Sequence, residues 1–153
     1  MKTPQTVPVA LLVKEGDQTD FENGEMTDFS SHVNNIHGLT YENNRVTLPT
    51  GIYNVNLTLW MSRDTDYDIE SPYIKLSYAL DSKRARTFST YADRRKGFSH
   101  HRLEANFVLN IEEDSFDFPL TLFMMNGQGK IAIYGGTREG NEPLSYLLIT
   151  KLL

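Results

Sequence analysis

From Gly51 to Met61 the odd positions carry Tyr53, Val55, Leu57, Leu59 and Met61, while Asn54, Asn56 and Thr58 occupy even ones. Successive side chains of an extended strand point to opposite faces, so this alternation specifies a strand with one apolar face and one wet face. The same period recurs in Ile74, Leu76, Tyr78 and Leu80, which alternate with Lys75, Ser77, Ala79 and Asp81. It recurs again in Leu103, Ala105, Phe107, Leu109 and Ile111, between Arg102, Glu104, Asn106 and Asn110. No window of helical length keeps apolar residues at three-and-four spacing. The chain is therefore all-β, built from half-buried strands of antiparallel type.

Three segments depart from the alternation by being apolar on both faces: Val9 to Val13, Leu120 to Met125, and Leu144 to Leu153. A strand with two apolar faces needs a cover on each. In a two-sheet sandwich one face meets the opposite sheet, and the other then meets another subunit. A fully buried central strand of a monomer is the alternative, because short apolar runs fit both. Turn residues punctuate the strands. Pro49-Thr50-Gly51 ends a short strand around Val46 to Leu48, Asn126-Gly127-Gln128-Gly129 is expected to join two strands as a hairpin, and Gly135 to Pro143 leads into the last strand. The expectation is a two-sheet antiparallel sandwich of about eight strands. A single domain spans residues 1–153, with a loop-rich part at 1–44 and the main sandwich at 45–153. The polar stretch Glu15 to Asn44 is expected to hold long loops with one or two short strands.

Three passages carry a resemblance to a known family. "VTLPTGIYNVNLTLWM" (Val46 to Met61) joins a short strand, a glycine–aromatic pair and a long alternating strand; "HRLEANFVLNIEEDSFDFPLTL" (His101 to Leu122) joins two late strands; "PLSYLLITKLL" (Pro143 to Leu153) is a closing strand. Their order resembles the tumour-necrosis-factor-like jelly roll, a fold also used by complement globular heads and by phage fibre and spike heads. Gly51 and Tyr53 match the family's glycine and tyrosine, whereas Glu112-Glu113-Asp114-Ser115 stands where a Gly-Asp turn is usual. The resemblance implies a homotrimer with Tyr53 and the closing strand, including Tyr146 and Leu148, near the threefold axis. Fold alone does not fix function.

The chain has no cysteine, which removes thiol chemistry, cysteine-based zinc sites and disulfides and favours synthesis in a reducing cytoplasm. The apolar run Val9 to Val13 is too short for a signal peptide, and no stretch approaches the ~20 apolar residues that span a bilayer. A net charge of −5 argues against affinity for nucleic acid. That charge is unevenly spread: residues 1–70 hold eleven acids against four bases, and residues 71–153 nine against eleven. Lys83, Arg84, Arg86, Arg94, Arg95, Lys96 and Arg102 form a basic segment interleaved with Phe88, Tyr91 and Phe98. Guanidinium groups so placed can grip carboxylate or phosphate, or serve only to keep a long loop solvated. Arg84, Arg86, Arg94, Arg95 and Lys96 are the candidate partner-binding residues.

Catalytic and metal signals are sparse. Asp64, Asp66, Asp68 and Glu70 alternate and could offer oxygen ligands to calcium, but the glycine and distant glutamate of an EF-hand loop are missing. A solvated acidic loop after a strand is the simpler account. The four histidines show no zinc spacing, and no nucleophile elbow is present. No enzyme and no cofactor is expected. The leading functional expectation is a trimeric virion surface protein, either a capsid decoration (cement) protein or a fibre head, made in the host cytoplasm and docked on an acidic protein surface such as a capsid shell. The alternative is a soluble carbohydrate- or receptor-binding module using Trp60, Tyr67, Tyr73 and Tyr91.

Overall fold

The structure is a computed structural model that describes residues 7–21, 24–63, 73–79, 85–91, 100–112, 116–119, 121–125 and 131–153. Within them the backbone forms β1 (Val9–Lys14), β2 (Gln18–Phe21), β3 (Gly24–Glu25), β4 (Phe29–Asn34), β5 (Thr40–Glu42), β6 (Arg45–Leu48) and β7 (Gly51–Arg63). β8 (Tyr73–Ala79), β9 (Ala85–Tyr91), β10 (His100–Ile111), β11 (Phe116–Pro119), β12 (Thr121–Met125), β13 (Ile131–Tyr134) and β14 (Tyr146–Lys151) complete the set. All pairings are antiparallel. The largest sheet runs β2-β13-β7-β14-β1-β4, with β10 on the free edge of β7. β11-β6-β5 and β3-β12-β8-β9 form the other two sheets, and β11 and β12 follow one another with a single residue between them.

β7 is the spine because its alternation is the longest. β10 pairs it from Gly51 to Ser62 along one edge. The other edge is shared: β14 takes Tyr53 to Thr58, and β13 takes Trp60 to Arg63. Its start depends on Gly51, whose φ of +157° and close approach to the Leu153 carbonyl, 2.8 Å from where a Cβ would sit, leave no room for a side chain. The C-terminus is zipped alongside, with Ile52 N–H donating to Leu153 O at 2.9 Å and Leu152 N–H to Ile52 O at 2.7 Å.

The alternation becomes burial. Tyr53, Val55, Leu57, Leu59 and Met61 on β7 and Leu103, Ala105, Phe107, Leu109 and Ile111 on β10 are buried, and Ala10, Leu12, Leu147 and Ile149 meet them from β1 and β14. Val46, Leu48 and Phe116 join the same cluster from the smaller sheet. Burial of this apolar surface is the main force holding the layers together.

Three expectations change. The described residues hold fourteen strands where about eight were expected. Much of the excess lies in Glu15 to Asn44, which forms β2, β3, β4 and β5 where long loops with one or two short strands were expected. Its apolar residues Phe21, Met26, Phe29, Ile36 and Leu39 are all buried, but they stand singly, so they generate no period along the sequence. Asn43 and Asn44 turn the chain here: their φ values of 50° and 59° close the two-residue hairpin between β5 and β6. The expected hairpin at Asn126 to Gly129 lies outside the described residues, and the strands on either side of it, β12 and β13, belong to different sheets. Glycine-rich turns serve crossovers as well as hairpins, so that segment alone could not distinguish them.

Candidate functional site

Sheet register sets the outer face of the large sheet. Leu11 on β1 is opposite Leu148 on β14 and Val33 on β4, and Val13 is opposite Tyr146. Val9, Leu11, Val13, Tyr146 and Leu148 are half-buried, and Val33 is 40 % exposed. Two of the three doubly apolar segments, Val9 to Val13 and Leu144 to Leu153, are thus neighbours, and their outward side chains merge into one patch. Across β7 the character changes. Leu148 is opposite Asn56, which is opposite Asn106 on β10; Tyr146 is opposite Thr58, which is opposite Glu104. The outward residues of β10 are Arg102, Glu104, Asn106, Val108 and Asn110, all exposed, with Arg102 and Glu104 paired at 2.9 Å.

The edges of the patch are pinned by polar contacts. Val9 N–H donates to Asn35 Oδ1 at 2.6 Å and Asn35 N–H returns to Val9 O at 3.0 Å. At the far end of β1 the inward residue is Lys14, completely buried, whose ammonium donates to Thr27 O and lies 5.6 Å from the Phe29 ring centre. Burial pushes the Lys14 ammonium below its ordinary value, while Asp28 and Asp17 pull the other way. The backbone beside it is stitched to the 135–136 turn: Gly136 N–H donates to Lys14 O at 2.9 Å and Gly135 N–H to Asp17 Oδ1 at 2.9 Å.

The residues singled out from sequence fall in different places. Tyr146 and Leu148 lie on the outer patch. Tyr53 does not: it is 0 % exposed, and its hydroxyl donates to Pro49 O at 2.7 Å, tying the turn before β7 to the strand. Its position on β7 puts it on the inward face with Val55 and Leu57, so within the chain it belongs to the core and offers no outer surface. Burial raises its hydroxyl above the ordinary tyrosine value. Arg86 lies on β9 opposite Tyr78, and Tyr73 opposite Tyr91. Arg84, Arg94, Arg95, Lys96, Tyr67 and the calcium candidates Asp64, Asp66 and Asp68 lie outside the described residues. Among the described residues no three histidine or carboxylate groups converge as a metal site would require, and no helix is long and apolar enough to cross a membrane.

The strand order β4-β1-β14-β7-β10, with the β11-β6-β5 sheet packed on its inward face through Val46, Leu48 and Phe116, decides the architecture. The fold is the TNF-like jelly roll. The chain is similar to murine APRIL at 15 % identity and a TM-score of 0.63, over 96 % of this chain and 100 % of that one. It is similar to the Eiger TNF of S. frugiperda at 10 % identity and a TM-score of 0.61, over 97 % of this chain and 94 % of that one. No family model matches the sequence, and no curated protein does. Identity this low establishes the fold alone.

One candidate side chain was named from sequence without its partner. Trp60 projects from the outer face of β7, half-buried, and the Arg138 guanidinium stacks on its ring. They are far apart in the chain, and no spacing rule connects them.

Proposed function

We propose that this chain is a non-enzymatic, self-associating jelly-roll head, a homotrimer built on the outer face of β1 and β14, that presents its remaining surface to a protein partner. The observation that carries the reading is the patch of Val9, Leu11, Val13, Val33, Tyr146 and Leu148, set beside a polar half of the same sheet. Apolar residues gathered on one side of a sheet gain most by burial against a second copy. The threefold arrangement is what the TNF-like fold favours. The setting we assign is a virion surface, as capsid decoration or fibre head, with Arg84 to Lys96 as the basic segment that engages an acidic shell. That assignment rests on the charge asymmetry of a chain of net −5.

Light scattering coupled to size exclusion tests the oligomer. The native protein is expected at about three times the 17.5 kDa chain mass, and Leu11→Lys or Leu148→Lys at one chain mass with unchanged circular dichroism. A wild-type monomer overturns the reading. A second reading, a soluble carbohydrate- or receptor-binding module, is favoured by one observation, the Trp60–Arg138 stack at 4.5 Å.

A further inference from the structure

The shared edge of β7 leaves an opening. β14 ends its pairing at Thr58 and β13 begins at Trp60, and between Tyr134 and Tyr146 the chain leaves the sheet in a loop. Buried Ser145 closes the seam: its hydroxyl accepts from Trp60 N–H at 2.9 Å and donates to Tyr134 O at 2.6 Å. The loop braces itself, with Arg138 N–H on Glu142 O at 2.8 Å, Asn141 N–H on Arg138 O at 3.1 Å and Leu144 N–H on Gly136 O at 3.0 Å. Both halves of the stack are therefore fixed at the backbone, Trp60 by the sheet and Arg138 by the loop. Together with Tyr134 and Leu144 they line an open cavity of about 450 Å³.

We propose that this cavity binds an acidic sugar, a pyranose bearing a single carboxylate such as a uronic or sialic acid residue of a glycan. This rests on the carbohydrate-binding reading above and names its ligand class. The volume lies in the range of small-molecule sites. Among the described residues the lining joins aromatic and aliphatic surface to a single cation, which suits a ring whose C–H face is apolar and whose edge is charged. Stacking on the indole holds the guanidinium flat, and among the described residues it has no ion pair and no side-chain hydrogen bond, so its edge donors remain for a carboxylate. Glu139 and Glu142 stand on the same loop, both exposed, and disfavour a polyanion such as a nucleic acid or a heavily sulfated chain. One negative charge is what the site tolerates.

Trp60 is the chain's single tryptophan, so indole emission, excited where tyrosine does not absorb, reports on this site alone. The test is titration of the intact protein with free N-acetylneuraminate and glucuronate, with their methyl esters, and with neutral lactose, alongside a glycan array. Saturable quenching or a spectral shift with the free acids is expected, at least tenfold weaker with the esters. Arg138→Gln, an exposed change that leaves the fold intact, should weaken binding of the acids at least tenfold, and Arg138→Lys should restore only part of it. Equal binding of acids, esters and lactose, unaffected by Arg138→Gln but lost on the glycan array in Trp60→Phe, overturns the acidic ligand and leaves the carbohydrate reading standing. Binding of an acidic peptide but of no saccharide, or no response to any saccharide, overturns both.

Discussion

The outer face of the large sheet divides at β7. Towards β1 and β14 it carries Leu11, Val13, Tyr146 and Leu148; towards β10 it carries Arg102, Glu104, Asn106 and Asn110, with one exposed valine, Val108. The inward faces of the two halves are alike: Ala10, Leu12, Leu147 and Ile149 on one side and Leu103, Leu109 and Ile111 on the other are buried. The difference teaches that alternation and double apolarity report separate facts. Alternation says that a strand covers a core. Double apolarity says that its second face awaits a cover of its own.

The inward side of β1 should give the largest effect when broken. Leu12→Ala removes a completely buried side chain and should cost about 2–5 kcal/mol in chemical denaturation, whatever the association state. Ser145→Ala comes next. It leaves Trp60 N–H and Tyr134 O without their shared partner, and should cost about 1–3 kcal/mol by the same measurement.

Lys14 sharpens the comparison, because it is the one charged residue at an inward position of β1. Its folded pKa lies below the ordinary 10.5, so near that pH the unfolded chain binds the proton more readily than the folded one. Stability should therefore rise with pH from the folded value towards 10.5. Tyr41 and Tyr53 act oppositely. Burial raises both above 10.0, so the unfolded chain loses their protons first and stability falls above that pH. A stability–pH profile should thus climb on the alkaline side and turn over near 10. In Lys14→Met the climb should vanish while the fall persists; a climb retained in that variant would show that Lys14 is not its source.

The smallest effect on stability belongs to a matched pair across the divide. Leu11→Lys and Asn106→Lys both place a cation on the outer face, and each should change monomer stability by roughly 0.5 kcal/mol or less. Only Leu11→Lys should abolish the oligomer on light scattering. Loss of association in both would mean that the polar half is part of the interface.

Much of this was legible in residues 51–61 and 101–111, where long runs write the two-residue period plainly, and in 144–153, where double apolarity marks a strand with two faces to cover. The segment 15–44 was not legible, because its buried residues Phe21, Met26, Phe29, Ile36 and Leu39 stand singly, three of them between strands, and write no period along the sequence. Tyr53 was correctly marked by its alternation yet placed at a subunit contact by resemblance; its own register sends it inward. The Trp60 cavity was half visible, as an aromatic on a wet face with nothing to say what lay over it.

By itself the sequence determined the class, the long strands, their inward faces and the three segments that are apolar on both faces, because these follow from a pattern local to each strand. Only the tertiary structure decided that β1 and β14 are neighbours, so that two spare faces become one patch, and that β13 takes over from β14 along β7, so that Arg138 arrives above Trp60. Those outcomes depend on which strands pair and in what register, and pairing is a contest among distant segments for the same backbone hydrogen bonds.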